Sequence, residues 1–147
     1  MTTSPNHLIT VITAALEAGK AILEIYHSGA FDVEIKGDNS PLTKADIASH
    51  NVIMSYLETT GIPVLSEEGR DISYQERKDW KQLWIVDPID GTKEFIKRNG
   101  EFTVNIALIE DQRPLIGVIF VPVTGELYFS SKEIGAFKVA VHLKDYD

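Results

Sequence analysis

Cysteine is absent from the 147-residue sequence. Its absence excludes disulfide bonds, thiolate metal sites, iron–sulfur clusters and a cysteine nucleophile. Long apolar runs are also lacking: no segment approaches the roughly 18 residues that would span a bilayer. The first residues lack the basic and apolar regions of a secretory signal. We therefore expect a soluble, cytoplasmic protein.

Basic residues are scarce as well. The sequence has 14 Lys and Arg against 22 Asp and Glu, a formal net charge of −8. Nucleic-acid binding generally needs Lys and Arg to replace the counterions of the phosphates, so we do not expect a nucleic acid as partner. A small anionic substrate is still compatible with this charge, because bound metal cations reverse the local field. Apolar residues make up 44% of the chain, enough for the core of one folded domain.

The apolar spacing predicts a fold of the α+β class. Helices are predicted over 4–28 and from about Thr43 to Thr60, because apolar residues recur there at helical spacing and a glycine follows each segment. A shorter helix is predicted over 92–97, and the polar segment 71–82 has room for another. Two long helices packed on a largely antiparallel sheet are typical of this class. The predicted strands cover 33–36, 62–66, 83–87, 102–109, 115–121, 126–130 and 136–143, with a turn or flexible loop at 37–41.

These helices are too few to cover both faces of the predicted sheet. The sequence also stops soon after the last predicted strand, without a further element to close the structure. We therefore expect part of the complete structure to be missing from this chain. The exposed sheet edge would favour self-association.

Two acidic clusters follow predicted strands. Ser66-Glu67-Glu68-Gly69 follows one strand, and the segment 87–92, Asp-Pro-Ile-Asp-Gly-Thr, follows another. If these strands are neighbours, Glu67, Asp87 and Asp90 converge at one sheet edge. Clustered carboxylates repel each other unless a cation is present. Hard oxygen ligands select Mg²⁺, Mn²⁺ or Ca²⁺, so the pattern predicts a divalent metal site.

The second acidic segment also suits phosphate binding. Pro88 restricts the backbone and can turn the Ile89 carbonyl toward the metal. Gly91 allows close approach, and Thr92 begins a predicted helix whose first N–H groups can hold a phosphate. Separately, Glu67-Glu68 could be a solvated loop and Asp90-Gly91-Thr92 a cap and turn. Their combination favours metal-assisted hydrolysis of a phosphoester.

Another class of phosphatases, with the haloacid-dehalogenase-like fold, also uses an Asp-Gly-Thr element. Its nucleophilic aspartate lies two residues before the second aspartate. In this sequence that position is Pro88, which has no carboxylate. The sequence therefore favours attack by a metal-activated water over a covalent aspartyl-phosphate.

Glu67-Glu68 together with 87–92 resembles the signature of the lithium-sensitive, magnesium-dependent phosphomonoesterases. This superfamily includes inositol monophosphatase, fructose-1,6-bisphosphatase and the 3′(2′),5′-bisphosphate nucleotidases. The flanking segments 42–46 and 93–107 are most similar to the bacterial nucleotidases of sulfate assimilation. The resemblance covers nearly the whole chain and weakens after about Gly135. It implies the sugar-phosphatase fold shared by inositol monophosphatase and fructose-1,6-bisphosphatase.

The resemblance also implies roles for single residues. Two or three Mg²⁺ ions in an intact enzyme would be bound by Glu67, Asp87, the Ile89 carbonyl and Asp90. The substrate phosphate would contact Glu67, Ile89, Asp90, Gly91 and Thr92. The catalytic residues would be Asp46, Thr92 and Glu67, with Asp46 and Thr92 orienting or deprotonating the attacking water. Glu68 would support the metal ligands without contacting the metal.

Some residues keep an alternative interpretation. Asp46 could instead form a capping box with Thr43, although Glu or Gln is the usual partner. Lys97 and Arg98 could attract an anionic substrate or form solvated surface. The four histidines, His7, His27, His50 and His142, lack metal-ligand spacing and are interpreted as structural or surface residues.

The chain departs from this family in its length. Family members are roughly twice as long, and their second half supplies another metal-binding aspartate, in a Trp-Asp-x-Ala-like motif, and most of the base and sugar pocket. Neither Trp80 nor Trp84 is followed by an aspartate. Residues 1–147 are therefore expected to be the N-terminal α+β metal-binding half of the phosphatase, without its C-terminal half.

Three functions follow as hypotheses. The first is Mg²⁺-dependent hydrolysis of adenosine 3′,5′-bisphosphate, with 3′-phosphoadenylyl sulfate as a second substrate, to an AMP-type product. The second is a truncated metal-binding fragment without activity. The third is a phosphatase of inositol or sugar phosphates. The resemblance also allows a peripheral location on the cytoplasmic face of the inner membrane.

Overall fold

The computed structural model describes residues 5–28, 41–69 and 71–143. The predicted strand at 33–36 and most of the predicted loop at 37–41 lie outside these residues. Among the described residues, no helix combines the length and the apolar character needed to cross a membrane. The helices are α1 (Pro5–Tyr26), α2 (Pro41–Leu57), α3 (Tyr74–Arg77) and α4 (Thr92–Lys97), and a 3₁₀ turn (Glu58–Thr60) follows α2.

Six strands form one mixed sheet, which confirms the α+β prediction. Their order in the sheet is their order in the chain. β1 pairs with β2 in parallel, and every later pair is antiparallel. The strands are β1 (Val64–Ser66), β2 (Gln82–Asp90), β3 (Thr103–Glu110), β4 (Arg113–Val121), β5 (Glu126–Ser131) and β6 (Gly135–Ala140).

The core lies between one face of the sheet and the two long helices. Alternate residues of the central strands, such as Trp84, Ile106 and Phe120, point to this face and are fully or almost fully buried. They pack with the apolar side of α1, which includes Val11 and Ile22. This burial is the main source of stability for the fold.

The opposite face of the sheet is not covered by any described helix. We call it the open face. It consists of two rows of paired residues across β2 to β6. Its aliphatic residues Ile85 and Ile119 are 43% and 45% exposed. The first row is Ile85, Ala107, Gly117, Ser130 and Ala136, and the second is Asp87, Asn105, Ile119, Tyr128 and Lys138.

Two element boundaries differ from the prediction in ways that matter for the site. α2 begins at Pro41, so Thr43 is its third residue and not its N-cap, and the capping-box alternative for Asp46 is wrong. Proline suits the first position of a helix because its missing N–H has no acceptor there. β2 continues through Pro88 to Asp90, where the sequence predicted an end at Asp87. The register shifts by one residue between Asp87 and Asp90, and this bulge accommodates the proline.

Candidate active site

The ends of two parallel strands bring the acidic segments together. β1 lies beside β2, with Ser66 opposite Val86, as the convergence of the two clusters required. The Glu67 N–H donates to the Val86 carbonyl at 3.3 Å. We call Ser66–Gly69 the first acidic turn, and we call Asp87–Asp90, the bulged end of β2, the second acidic turn. Both turns therefore lie at the same edge of the sheet.

Helix α2 adds Asp46 to this edge. The pKa of Asp46 is raised to about 7, first by burial and then by the negative charges of Glu68, Asp87 and Glu67. These effects require the four carboxyl groups to lie near one another. A carboxyl group with a pKa near neutrality is suited to transferring a proton at physiological pH. The structure thus brings a residue from α2 to the two acidic turns.

Asp87 responds to the same surroundings. Burial is the largest cause that raises its pKa to about 6, followed by the charge of Glu67 and then that of Asp90. A hydrogen bond from the Ile89 backbone acts in the opposite direction. We call Asp46, Glu67, Glu68, Asp87 and Asp90 the acidic cluster. Its members come from α2, the first acidic turn and the second acidic turn.

The acidic cluster has the donor chemistry of a Mg²⁺ site. All of its groups are oxygen donors, and two of them have pKa values raised by burial and mutual repulsion. A divalent cation would relieve both effects. Within residues 5–28, 41–69 and 71–143, however, no three His, Asp or Glu side chains are arranged closely enough to hold one ion. The ligand set Glu67, Asp87, Ile89 and Asp90 therefore stays a prediction.

Asn105 holds Asp90 in place and was not predicted. Its Nδ2 donates to Asp90 Oδ2 at 2.9 Å, while its Oδ1 accepts from Thr103 Oγ1 at 2.8 Å. Asn105 also lies opposite Asp87 in the register of β2 and β3. A predicted register for these strands would have been the signal for it, since residues opposite each other share a face.

Gly91 allows the backbone to turn sharply between β2 and α4. Its φ of 94° is a left-handed conformation that favours glycine. A Cβ at this position would lie 3.3 Å from the Glu101 carbonyl oxygen and from Phe102 Cα. α4 follows immediately, and Thr92 is its first residue, as predicted. The positive φ and these neighbouring backbone atoms favour glycine here, whereas phosphate contacts of Gly91 and Thr92 stay predictions.

The candidate cation Arg98 has a different role. Its guanidinium carbon lies 4.4 Å from the centroid of the Tyr26 ring, and its Nη1 donates to the Tyr26 carbonyl at 2.9 Å. These contacts satisfy a carbonyl at the end of α1. Arg98 therefore fastens α4 to α1, and the alternative of substrate attraction loses support for this residue. Lys97 is exposed.

The fold is shared with solved structures of phosphatases. The crystal structure of CysQ from Bacteroides thetaiotaomicron matches with a TM-score of 0.88 and 51% identity over 94% of this chain and 50% of that one. Inositol monophosphatase II from Staphylococcus aureus MSSA476 matches with a TM-score of 0.75 and 27% identity over 92% of this chain and 50% of that one. The architecture is therefore that of the inositol monophosphatase fold.

The sequence comparisons agree. The model of the inositol monophosphatase family matches residues 5–145. The chain belongs to this family. The 3′(2′),5′-bisphosphate nucleotidase CysQ of Shigella flexneri is 51% identical over 125 residues, which are 83% of this chain and 50% of that protein. The chain thus spans about half the length of the curated relatives it matches.

Proposed function

We propose that residues 1–147 form the N-terminal, metal-binding half of a 3′(2′),5′-bisphosphate nucleotidase. The substrate would be adenosine 3′,5′-bisphosphate, and the product an AMP-type nucleotide and phosphate. The observation that carries the proposal is the convergence of the acidic cluster from α2 and two strand ends. Relatives named CysQ, 51% identical, supply the substrate class.

Glu67, Asp87, Asp90 and the Ile89 carbonyl would hold Mg²⁺. When bound, Mg²⁺ neutralises the charge of the phosphate ester and lowers the pKa of water. The chain's own residues have separate tasks. Asn105 donates a hydrogen bond to one carboxylate oxygen of Asp90, and the other oxygen would be left to bind the metal ion. Glu68 adds negative charge beside Asp46.

Asp46 is the residue best suited to hold or take up a proton. In the metal-free chain its pKa is about 7, well above the ordinary value, and a bound cation would lower it toward that of a proton acceptor. With Thr92 it would orient the attacking water and accept its proton. Gly91 and the first N–H groups of α4 would contact the phosphate, because the N–H groups of the first turn of a helix have no partner within the helix. Glu67 would contribute to both metal and phosphate binding.

The substrate has alternatives. 3′-Phosphoadenylyl sulfate carries the same 3′-phosphate and is proposed as a second substrate. An inositol or sugar phosphate is the second candidate, because the fold is also that of an inositol monophosphatase from Staphylococcus aureus. The second acidic segment handles the phosphate alone and does not distinguish these compounds. We propose a cytoplasmic location, no nucleic-acid partner and, through the exposed sheet, self-association.

The test is phosphate release by the 147-residue chain and by a version extended to the length of the relatives. With Mg²⁺, the extended protein should hydrolyse adenosine 3′,5′-bisphosphate faster than inositol 1-phosphate, and EDTA should stop the reaction. Asp90→Asn should abolish turnover while leaving the fold intact. Undiminished hydrolysis by that variant would refute the site, and a preference for inositol 1-phosphate would refute the substrate. Robust turnover by the short chain would exclude the inactive-fragment alternative.

A further inference from the structure

Helix α2 presents three polar residues on one side. Asp46, Ser49 and His50 are spaced by three and four residues, so they lie along the same side of the helix. Asp46 belongs to the acidic cluster. Ser49 and His50 have no task in the proposed function. Each of them nevertheless contacts one of the two acidic turns.

Ser49 contacts the second acidic turn. Its side chain is fully buried, and its Oγ donates to the Pro88 carbonyl at 2.9 Å. Pro88 lies inside the bulge where the register between β2 and β3 shifts. The ladder of the sheet is interrupted there, and proline contributes no N–H to it. The hydrogen bond from Ser49 therefore connects the bulged part of β2, where sheet hydrogen bonds are interrupted, to α2.

His50 contacts the first acidic turn. Its Nδ1 lies 2.9 Å from Ser66 Oγ, and Ser66 is itself buried. The same hydroxyl oxygen accepts the Glu68 N–H at 3.3 Å, and the Ser66 carbonyl accepts the Gly69 N–H at 3.0 Å. The imidazole thus continues the hydrogen bonds that shape the turn.

The ring of His50 also lies close to Gly69 of this turn. A Cβ added at Gly69 would lie 3.6 Å from His50 Cε1, which is ordinary van der Waals distance. Glu67 and Glu68, between Ser66 and Gly69, are exposed and carry like charges. Like charges on the two turns push them apart. A contact that fixes each turn to the same helix opposes that repulsion.

We propose that Ser49 and His50 are positioning residues, through which α2 sets the separation of the two acidic turns. Ser49 holds the turn that carries Asp87 and Asp90. His50, through Ser66, holds the turn that carries Glu67. The consequence for metal affinity rests on the proposed function, whereas the consequence for the order of the turns does not. Removing a residue that orients a metal ligand through a hydrogen bond, without contacting the metal, typically weakens metal binding by about 10–100-fold.

The experiment compares four variants of the chain with the unaltered protein. His50→Leu removes the hydrogen bond, and His50→Asn keeps an amide atom near the position of Nδ1. Ser49→Ala removes the other hydrogen bond. Ser55→Ala is the control, because Ser55 is exposed on the same helix and its Oγ donates to the Val52 carbonyl of that helix. Circular dichroism checks that each variant is folded.

Two measurements are made. Backbone NMR order parameters without metal should fall from about 0.85 toward 0.6 in 66–69 for His50→Leu and in 87–90 for Ser49→Ala. Mn²⁺ binding, followed by electron paramagnetic resonance, should weaken about tenfold or more in both. His50→Asn should recover most of both losses, which a loss of packing alone would not explain. Ser55→Ala should change neither.

Unchanged order in the corresponding turn would overturn the assignment of either residue, and so would Mn²⁺ affinity equal to that of Ser55→Ala. If the unaltered chain binds no Mn²⁺, the proposed function loses its support in this chain. The order parameters then decide the positioning roles alone. If Ser49→Ala does not fold, the His50 pair decides.

Discussion

The six-stranded sheet has one face that α1 and α2 close and one face that no described helix covers. On the closed face, Trp84, Ile106, Val118 and Phe120 are at most 2% exposed. On the open face, Ile119 lies between Asn105 and Tyr128 and is nearly half exposed. An apolar surface of this kind normally marks an interaction site in a soluble protein. The two faces of one sheet therefore differ in burial: one forms the core, and the other exposes apolar side chains.

The acidic cluster lies where the two faces meet. Asp46 comes from α2, on the closed side, while Asp87 is the first residue of a row on the open face. A cavity of about 750 Å³ on the open face reaches from Ile119 and Tyr128 to Asp87 and Asn105. Whatever covers the open face would also form a wall beside the acidic cluster.

The largest expected effect is on the closed face. Phe120→Ala should lower the free energy of unfolding by about 3–5 kcal/mol, because it leaves a cavity among fully buried residues. Ile119→Ala, on the next residue and the other face, should cost no more than about 1 kcal/mol. Urea denaturation followed by circular dichroism measures both. Equal losses would mean that the open face is covered in solution.

Mg²⁺ should have the next largest effect. At about one hundred times its dissociation constant, an ion bound only by the folded state adds about 2.7 kcal/mol to stability. The gain should be larger at pH 8 than at pH 5, because protons on Asp46 and Asp87 compete with the ion at the lower pH. Thermal melts with MgCl₂, against NaCl of equal ionic strength, measure it. An equal effect of the two salts at pH 8 would contradict a metal site in the chain.

Much of the fold followed from local patterns in the sequence. α4 was predicted at its observed bounds, and the strands of the meander were placed within two residues at most of their ends, except for β6 at its end. Pro88 misled the prediction, since proline usually ends a strand, and here a bulge accommodates it. Residues 1–4, 29–40, 70 and 144–147 lie outside the described structure.

The acidic site was predictable only in part. Glu67, Asp87 and Asp90 were expected together because each follows a strand, and parallel neighbours end at the same edge. Ser49 and His50 were missed because their partners lie 39 and 16 residues away in the chain. Such hydrogen bonds leave no periodic pattern in the sequence. They depend on the packing of α2 against the two acidic turns.

In the metal-free chain, the pH dependence of stability should report the unfavourable burial and charge repulsion of the Asp46 carboxylate. The pKa of Asp46 is about 7 when folded and near its ordinary value of 3.8 when unfolded. The folded state therefore binds more protons at Asp46 between these values, so the contribution of Asp46 to stability should be largest below about pH 4 and be lost as the pH rises through about 7. Asp46→Asn should flatten this fall and raise the melting temperature at pH 8.

The control for this prediction is Asp111→Asn, in the exposed turn between β3 and β4. Asparagine tolerates the left-handed conformation of that residue, whose φ is 49°. Melts from pH 4 to pH 8 in EDTA should show the same slope in this variant as in the unaltered chain. Asp87, whose pKa is also raised, should leave a smaller slope in Asp46→Asn. A slope as steep as that of the unaltered chain would assign the pH dependence to groups other than Asp46.

The smallest effect on stability is expected on the open face itself. Ile119→Lys places a charge in the middle of its second row, where the side chain can reach water, and should change the free energy of unfolding by no more than about 0.5 kcal/mol. If the open face mediates self-association, the variant should nevertheless sediment as a monomer at concentrations where the unaltered chain forms larger species. Analytical ultracentrifugation distinguishes the two. Ile9→Lys is the matched control, because Ile9 is 65% exposed on α1, away from the open face. If larger species persist in Ile119→Lys and are lost in Ile9→Lys, the helical side of the chain mediates self-association. That result would refute the role assigned to the open face.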